Sequence, residues 1–395
     1  MTQTSSPRQQ SPVTVLLGGD VMLGRGVDQI QAHPGDPLLY EPWVDDARRY
    51  VELAEKANGP IPYPVDFEWL WGDVGPMLDQ LAPEVRLINL ETSITTDGVF
   101  APAKGIHYRM NPANIVTLKA IRPDVCALAN NHILDFGSRG LRDTLDALDA
   151  AGIGTAGAGT SIDAACRPLV VESATGLRVV IVSVACTSSG VPRAWAAQHD
   201  RPGVWLFGDP PGRSIADHVA AQALAHKLPG DILIVSVHWG PNWGYGIGRS
   251  EIQFARRLID AGVDIVHGHS SHHPRPVEIY HGRPIFYGCG DVIDDYEGIP
   301  GYGFYRPELR LLYWFRSSPA GSRPESGCCP CGYGACGSNM LPGPMPIGWV
   351  RRLLASAAGS TPISTAERTT CSSCRASAVR SVVQMPRNSH TLLSW

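Results

Sequence analysis

Short apolar runs alternate with amphipathic stretches along residues 13–316. The runs at 13–19, 85–90, 124–129, 178–186, 231–238, 263–267, 284–288 and 309–315 are mostly apolar, several almost wholly so, as in strands covered on both faces. Between them, Leu141, Leu145 and Leu148 recur at i, i+4, i+7 in 138–151, with Ser138 as N-cap and Gly152 as stop. Ile252, Ala255, Leu258 and Ile259 make one stripe in 250–261 that ends at Gly262, and 111–121 and 213–228 look similar. Strand alternating with helix predicts an α/β domain.

Five of the apolar runs stop on residues that ligate metals or move protons. They end on Asp20; on Asn89 and Glu91; on Asn130, Asn131 and His132; on His238; and on His267, His269, His272 and His273. In open α/β sheets ligands bind beyond the carboxyl ends of the strands, so these endings are expected to converge on one pocket.

Two stretches break the rhythm. Residues 31–76 are rich in Pro and aromatics (Trp43, Tyr63, Phe67, Trp69, Trp71) around one helix at 43–57, and read as an insertion packed on the domain, either roofing the pocket or serving as a structural cover. Residues 317–395 carry two acidic residues against seven Arg and no Lys, with six of the ten Cys and poor hydrophobic periodicity. Zinc binding by the CCPC at 328–331 and the CSSC at 371–374 is disfavoured by their wide separation and the absence of a His between them. This tail is expected to be disordered or an out-of-frame translation, and 1–12 a disordered N-terminus. The other four cysteines (Cys126, Cys166, Cys186, Cys289) are expected to be free thiols.

A net charge of -4 excludes the basic footprint of a nucleic-acid binder. There is no apolar run of ~18 residues to cross a membrane, and the polar N-terminus has no signal-peptide core. A cytoplasmic protein is expected.

A two-metal hydrolytic site requires a bridging carboxylate, several His, Asp or Asn ligands and an activated water, with the metals ~3.5–4 Å apart. Asp20 follows Gly18-Gly19 at a strand end, and Glu91 ends an apolar strand where a charge is costly unless paired or metal-bound. Asn131 offers a neutral oxygen ligand and places His132 over the substrate. The run His267-Gly268-His269-Ser270-Ser271-His272-His273 is the most specific feature, with four His in seven residues. Arg25, Lys104, Arg109 and Asn130 are candidates for holding an anionic substrate. Asp291, Asp294 and Asp295 are candidates for orienting the His ligands.

The ordered motifs GDVMLGR, NLET, ANNH, HWG, GHSSH and YGCGD resemble the CapA/PgsA capsule (poly-gamma-glutamate) synthesis family, a branch similar to the calcineurin-like metallophosphoesterases, over residues 13–315. The resemblance implies a four-layer α/β/β/α sandwich with a dinuclear site. It implies Asp20, Glu91, Asn131, His238, His269 and His272 as metal ligands, Glu91 at the bridging position, and His132 as proton donor to the leaving group. Three departures stand out: Asp20-Val21-Met22 lacks the usual Asp-x-His imidazole, Glu91 replaces an Asp, and the final His pair is spaced by two residues.

The leading expectation is a metal-dependent hydrolase of a phosphoester or polyglutamate-type amide in capsule biosynthesis. It would use one or two divalent ions (Mn, Fe or Zn, from the mixed N/O ligands). The alternative is a non-catalytic assembly or export factor for the same polymer.

Overall fold

The computed structural model describes residues 13–209, 211–307 and 309–316, together with the backbone of 325–330. The N-terminal segment 1–12 and the second cysteine pair lie outside the described residues.

Two seven-stranded sheets form the centre. In the first, Thr14–Val21, Val85–Leu90, Val125–Ala127 and Gly154–Ala156 run parallel in that order, and Leu311–Arg316 pairs antiparallel to Thr14–Val21. Asp291–Ile293 lies parallel to the carboxyl end of the same strand. In the second, Leu206–Phe207, Arg178–Cys186, Ile232–His238, Ile265–His269 and Arg283–Phe286 run parallel, with Leu169–Glu172 and Val277–Tyr280 antiparallel at its margins.

Side-chain alternation sets the layers, because successive residues of a strand face opposite sides. Val15, Leu17, Leu87 and Val125 of the first sheet pack against Val179, Ile181, Ile234 and Ile265 of the second. Their neighbours Leu16, Ile88 and Cys126 face Leu78, Leu118, Leu141 and Leu148 of the helical layer beside the first sheet. Val180, Val182, Leu233 and Val235 face Ala216, Val219, Phe254 and Leu258 of the helices Arg213–Leu224 and Arg249–Ala261. Helices, sheet, sheet, helices: the expected sandwich is present.

Several elements begin or end differently from the sequence reading. The helix expected at 138–151 spans Gly137–Ala150 with Phe136, not Ser138, at its N-cap, and no side chain caps it. The helix of the insertion is Arg48–Asn58. The insertion packs on the flank that carries Arg25 and Asp295; the rings touching His132 and His272 come from Tyr108, Tyr296 and Trp243, all outside it. At the other end, the backbone of Glu325–Pro330 adds an antiparallel strand beside Leu311–Arg316, so the first sheet continues past 316 into the segment expected to be tail. Among the described residues Cys126, Cys186 and Cys289 are buried and Cys166 is half-buried. Among the described residues no helix is long and apolar enough to cross a membrane.

Candidate metal centre

The carboxyl ends of both sheets meet at one place. Register puts Asp20 beside Asn89 on one side and Asp291 on the other, and puts His238 beside His269 in the facing sheet. Gly19 makes the approach to the Asp291 strand possible. A Cβ there would stand 1.8 Å from the Gly290 carbonyl, to which Asp20 N–H donates at 3.0 Å.

Ligating atoms gather in two triads that share one carboxylate. Asp20, His238 and His269 form one and Asp20, His272 and Asp291 the other, with the donor atoms of each set within 4.8 Å of one another. All five side chains are buried. His269 Nδ1 lies 3.8 Å from Asp20 Oδ1, and His272 Nδ1 lies 3.0 Å from Asp291 Oδ1. Ser270 adopts φ 98, a conformation rare outside glycine, and its N–H points at Asp20 Oδ2 at 3.2 Å.

Glu91 sits at the edge of the first triad. Its Oε1 is 3.9 Å from both His132 Nε2 and His238 Nε2, and Asn89 Nδ2 ties its other oxygen (2.9 Å) to Asp20 (2.7 Å). The carboxylate common to both triads is therefore that of Asp20, whereas the sequence motif gave the bridging position to Glu91. Half-buried Asn131 places Oδ1 3.1 Å from His238 Nε2. Asn130 is fully buried, and its amide donates to Asn89 Oδ1 (3.0 Å) and to the Leu90 carbonyl (2.8 Å), which braces the strand ends.

The electrostatics are those of a site lacking countercharge. Burial, then Asp291, raises Asp20 to about 7. Burial raises Asp291 to about 6, and burial with Asp20 and Asp291 drives Glu91 well above its ordinary range. Burial also holds His238 and His269 well below theirs. Asp291 Oδ2 is buried with no hydrogen-bond partner among the described residues. Converging carboxylates, neutral imidazoles and an orphaned carboxylate oxygen are what a divalent cation satisfies, and mixed N/O donors suit Mn, Fe or Zn. The donor set fits such an ion.

His132 stands beside the triads on a second small network. Its Nδ1 is 2.6 Å from Asp135 Oδ2 and 2.9 Å from Lys104 Nζ, and Lys104 also pairs with Asp135 Oδ1. A proton on Nδ1 donated to Asp135 leaves Nε2 as an acceptor facing Glu91, while Lys104 donates to the other Asp135 oxygen. Although burial pushes Asp135 upward, Lys104 and His132 outweigh it and hold the carboxyl low. Burial, then Lys104, depresses His132 to about 4.

Two expected substrate contacts are committed elsewhere. Arg25, 4% exposed, donates to Asp295 from Nε (3.1 Å) and Nη2 and to Glu41 from Nη1 (2.9 Å), with Tyr50 stacked 3.8 Å from its guanidinium. Arg109 packs over Phe136 at 4.6 Å and reaches Asp36 at 3.6 Å. Both serve the packing of the insertion and its neighbours, Arg25 through buried acids and Arg109 through the Phe136 ring and the exposed Asp36. Lys104 does reach the site, through His132.

Sequence reasoning missed Asp135, Asn242 and Ser236, and rated Asp291 only as a supporting group. Asp135 sits one turn after His132, a spacing that offered a signal. Asn242, whose amide is 3.0 Å from His272 Nε2, gave none.

A family model described as bacterial capsule synthesis protein PGA_cap matches residues 14–296. The chain belongs to this family. The probable polyglutamine synthesis accessory protein of Mycobacterium tuberculosis (strain H37Rv) is 61% identical over 308 residues, 78% of this chain and 81% of that protein. The PGA biosynthesis protein CapA of Bacillus subtilis is 28% identical over 278 residues, covering 70% of this chain and 62% of its own length. The capsule biosynthesis protein CapA of Bacillus anthracis is 24% identical over 288 residues, 73% of this chain and 61% of that protein. The family match spans every member of both triads, from Asp20 to Asp291.

Proposed function

We propose that this family member is a metal-dependent hydrolase in capsule or poly-glutamate synthesis, holding two divalent ions on ligand sets that share Asp20. The sharing of one buried carboxylate by two triads carries this reading. Asp20, His272 and Asp291 would hold one ion; Asp20, His238 and His269, with Glu91 and Asn131 alongside, the other. Asp291 would then supply the donor that the sequence lacks at Met22. Bound divalent ions in such a pair act as Lewis acids and make water a nucleophile at neutral pH.

The chain's own residues supply the proton handling. Asp135 orients the His132 ring, and Lys104 keeps Asp135 anionic. His132 Nε2 is then the atom that exchanges protons with the substrate. It is an acceptor in the free protein, so it takes a proton before giving one to a leaving group. With Arg25 and Arg109 committed to packing, the grip on an anionic substrate falls to the bound ions and Lys104. That favours a compact phosphoester or a single scissile amide over a long cationic groove.

The name of the mycobacterial relative, an accessory protein, favours a second reading: a non-catalytic factor in polymer assembly. One experiment separates them. Metal analysis of protein purified without added metal, followed by turnover of a generic phosphodiester and of poly-gamma-glutamate, gives bound metal and His132-dependent hydrolysis if the chain is an enzyme. A metal-free, inert protein supports the assembly factor.

A further inference from the structure

Behind His269 runs a chain of hydrogen bonds whose proton order is fixed by its first member. His267 Nε2 is 3.0 Å from the Gly18 carbonyl. A carbonyl only accepts, so Nε2 carries the proton. His267 is fully buried and its two partners, a carbonyl and a hydroxyl, are neutral, which disfavours a second proton on the ring. Its Nδ1 is then an acceptor, and the group within reach is Ser236 Oγ at 3.1 Å. Serine has one hydroxyl proton, now used. The contact of the same oxygen with His269 Nε2 at 2.8 Å must run the other way, from His269 Nε2–H to Ser236 Oγ. His269 is left with a bare Nδ1, the nitrogen 3.8 Å from Asp20 Oδ1 and 2.8 Å from His238 Nδ1.

We infer that Gly18, His267 and Ser236 form a tautomer relay that forces His269 to present Nδ1, unprotonated, to the metal centre. This rests on the metal reading above and adds to it which ring nitrogen binds and what holds it there. His267 and Ser236 are positioning residues: neither belongs to a triad. The relay also explains why His267 lies in the cluster without being a ligand. Gly18 belongs to the first sheet and the other three residues to the second, so the packing of one sheet on the other sets the protonation pattern of a ligand.

The test is two-bond proton–nitrogen NMR on the full chain, metal-free, with 15N-labelled histidine. Both His267 and His269 are expected as Nε2–H tautomers. In parallel, Ser236→Ala should bind Mn or Zn about 10–100-fold more weakly, the range for loss of a partner behind a ligand. The number of ions should not change, and Ser236→Thr, which keeps a hydroxyl, should restore affinity. A proton on His269 Nδ1, or wild-type affinity in Ser236→Ala, overturns the relay. The NMR pattern reads the relay without metal or substrate. A wild-type protein that takes up no metal would therefore sink the metal centre and leave the tautomers measurable, and failure of one idea is distinguished from failure of the other.

Discussion

Asp20, near the carboxyl end of its strand, and Asp291, the first residue of the parallel strand Asp291–Ile293, are register partners, joined by the bond from Asp20 N–H to the Gly290 carbonyl at 3.0 Å. Two carboxylates held this close in a buried place repel each other, and Asp291 is one cause of the raised Asp20. The arrangement stores a demand for positive charge.

That demand is measurable by removing one partner. Asp291→Asn should lower the metal content from about two ions per chain toward about one, by loss of the Asp20–His272–Asp291 set. The same substitution should stabilise the metal-free protein at pH 8, by about 1 kcal/mol, the scale of one pKa unit. Metal analysis and urea unfolding check the two effects. An unchanged metal content would remove Asp291 from the ligand set.

The pH dependence of the metal-free protein follows from opposed groups. Burial is the main cause of the rise of Asp20 and Asp294 to about 7, Asp291 to about 6 and Glu297 to about 8. Carboxyls raised in the folded state contribute stability that is complete below their ordinary pKa and is lost as pH climbs through the folded value. His132 and His267, depressed from 6.5 to about 4 by burial, contribute stability present above 6.5 and lost as pH falls toward 4. The slopes oppose each other below 6.5, and above it only the carboxyls act. Metal-free protein should therefore lose thermal stability between pH 6.5 and 8, while metal-loaded protein should lose less, because Asp20 and Asp291 are then held ionised and only Asp294 and Glu297 still titrate. A melting temperature that climbs over this interval without metal would contradict the assignment.

His132→Ala should spare metal content and depress turnover by about 10²–10⁴, the range for a general acid–base group. Asp135→Asn should follow it in direction, because an amide no longer favours the Nδ1–H form. Loss of metal in His132→Ala would make the imidazole a ligand and not a proton carrier.

Arg25→Ala separates packing from substrate binding. Removing the guanidinium leaves Asp295 and Glu41 buried without their partner, which typically costs about 3–5 kcal/mol. Unfolding midpoints should fall sharply, and the KM of the folded fraction should hold. An intact midpoint with a raised KM would return Arg25 to the substrate side.

Much of the architecture was legible because burial on both faces leaves near-continuous apolar runs. The strands at 85–90 and 178–186 were placed to the residue for that reason. Short or half-exposed strands such as Leu169–Glu172 and Val277–Tyr280 have no such run and were missed. The site was legible at strand ends, where Asp20, Glu91, Asn131, His238 and His269 interrupt apolar sequence. Arg25 and Arg109 were not separable from substrate contacts by sequence, because a cation near a motif looks the same whether it faces substrate, a buried acid or a packed ring.

By itself the sequence determined the alternation of strand and helix, the family, and the set of groups able to ligate metal or carry protons. These follow from local pattern and side-chain chemistry. Only the tertiary structure decided that Asp20 is the shared carboxylate, that Asp291 stands 3.0 Å from His272, that Asp135 orients His132, and that Gly18 sets the protonation of His269. All but the local Asp135–His132 contact depend on segments that are not neighbours in the chain, brought together by strand register and by the packing of one sheet on the other.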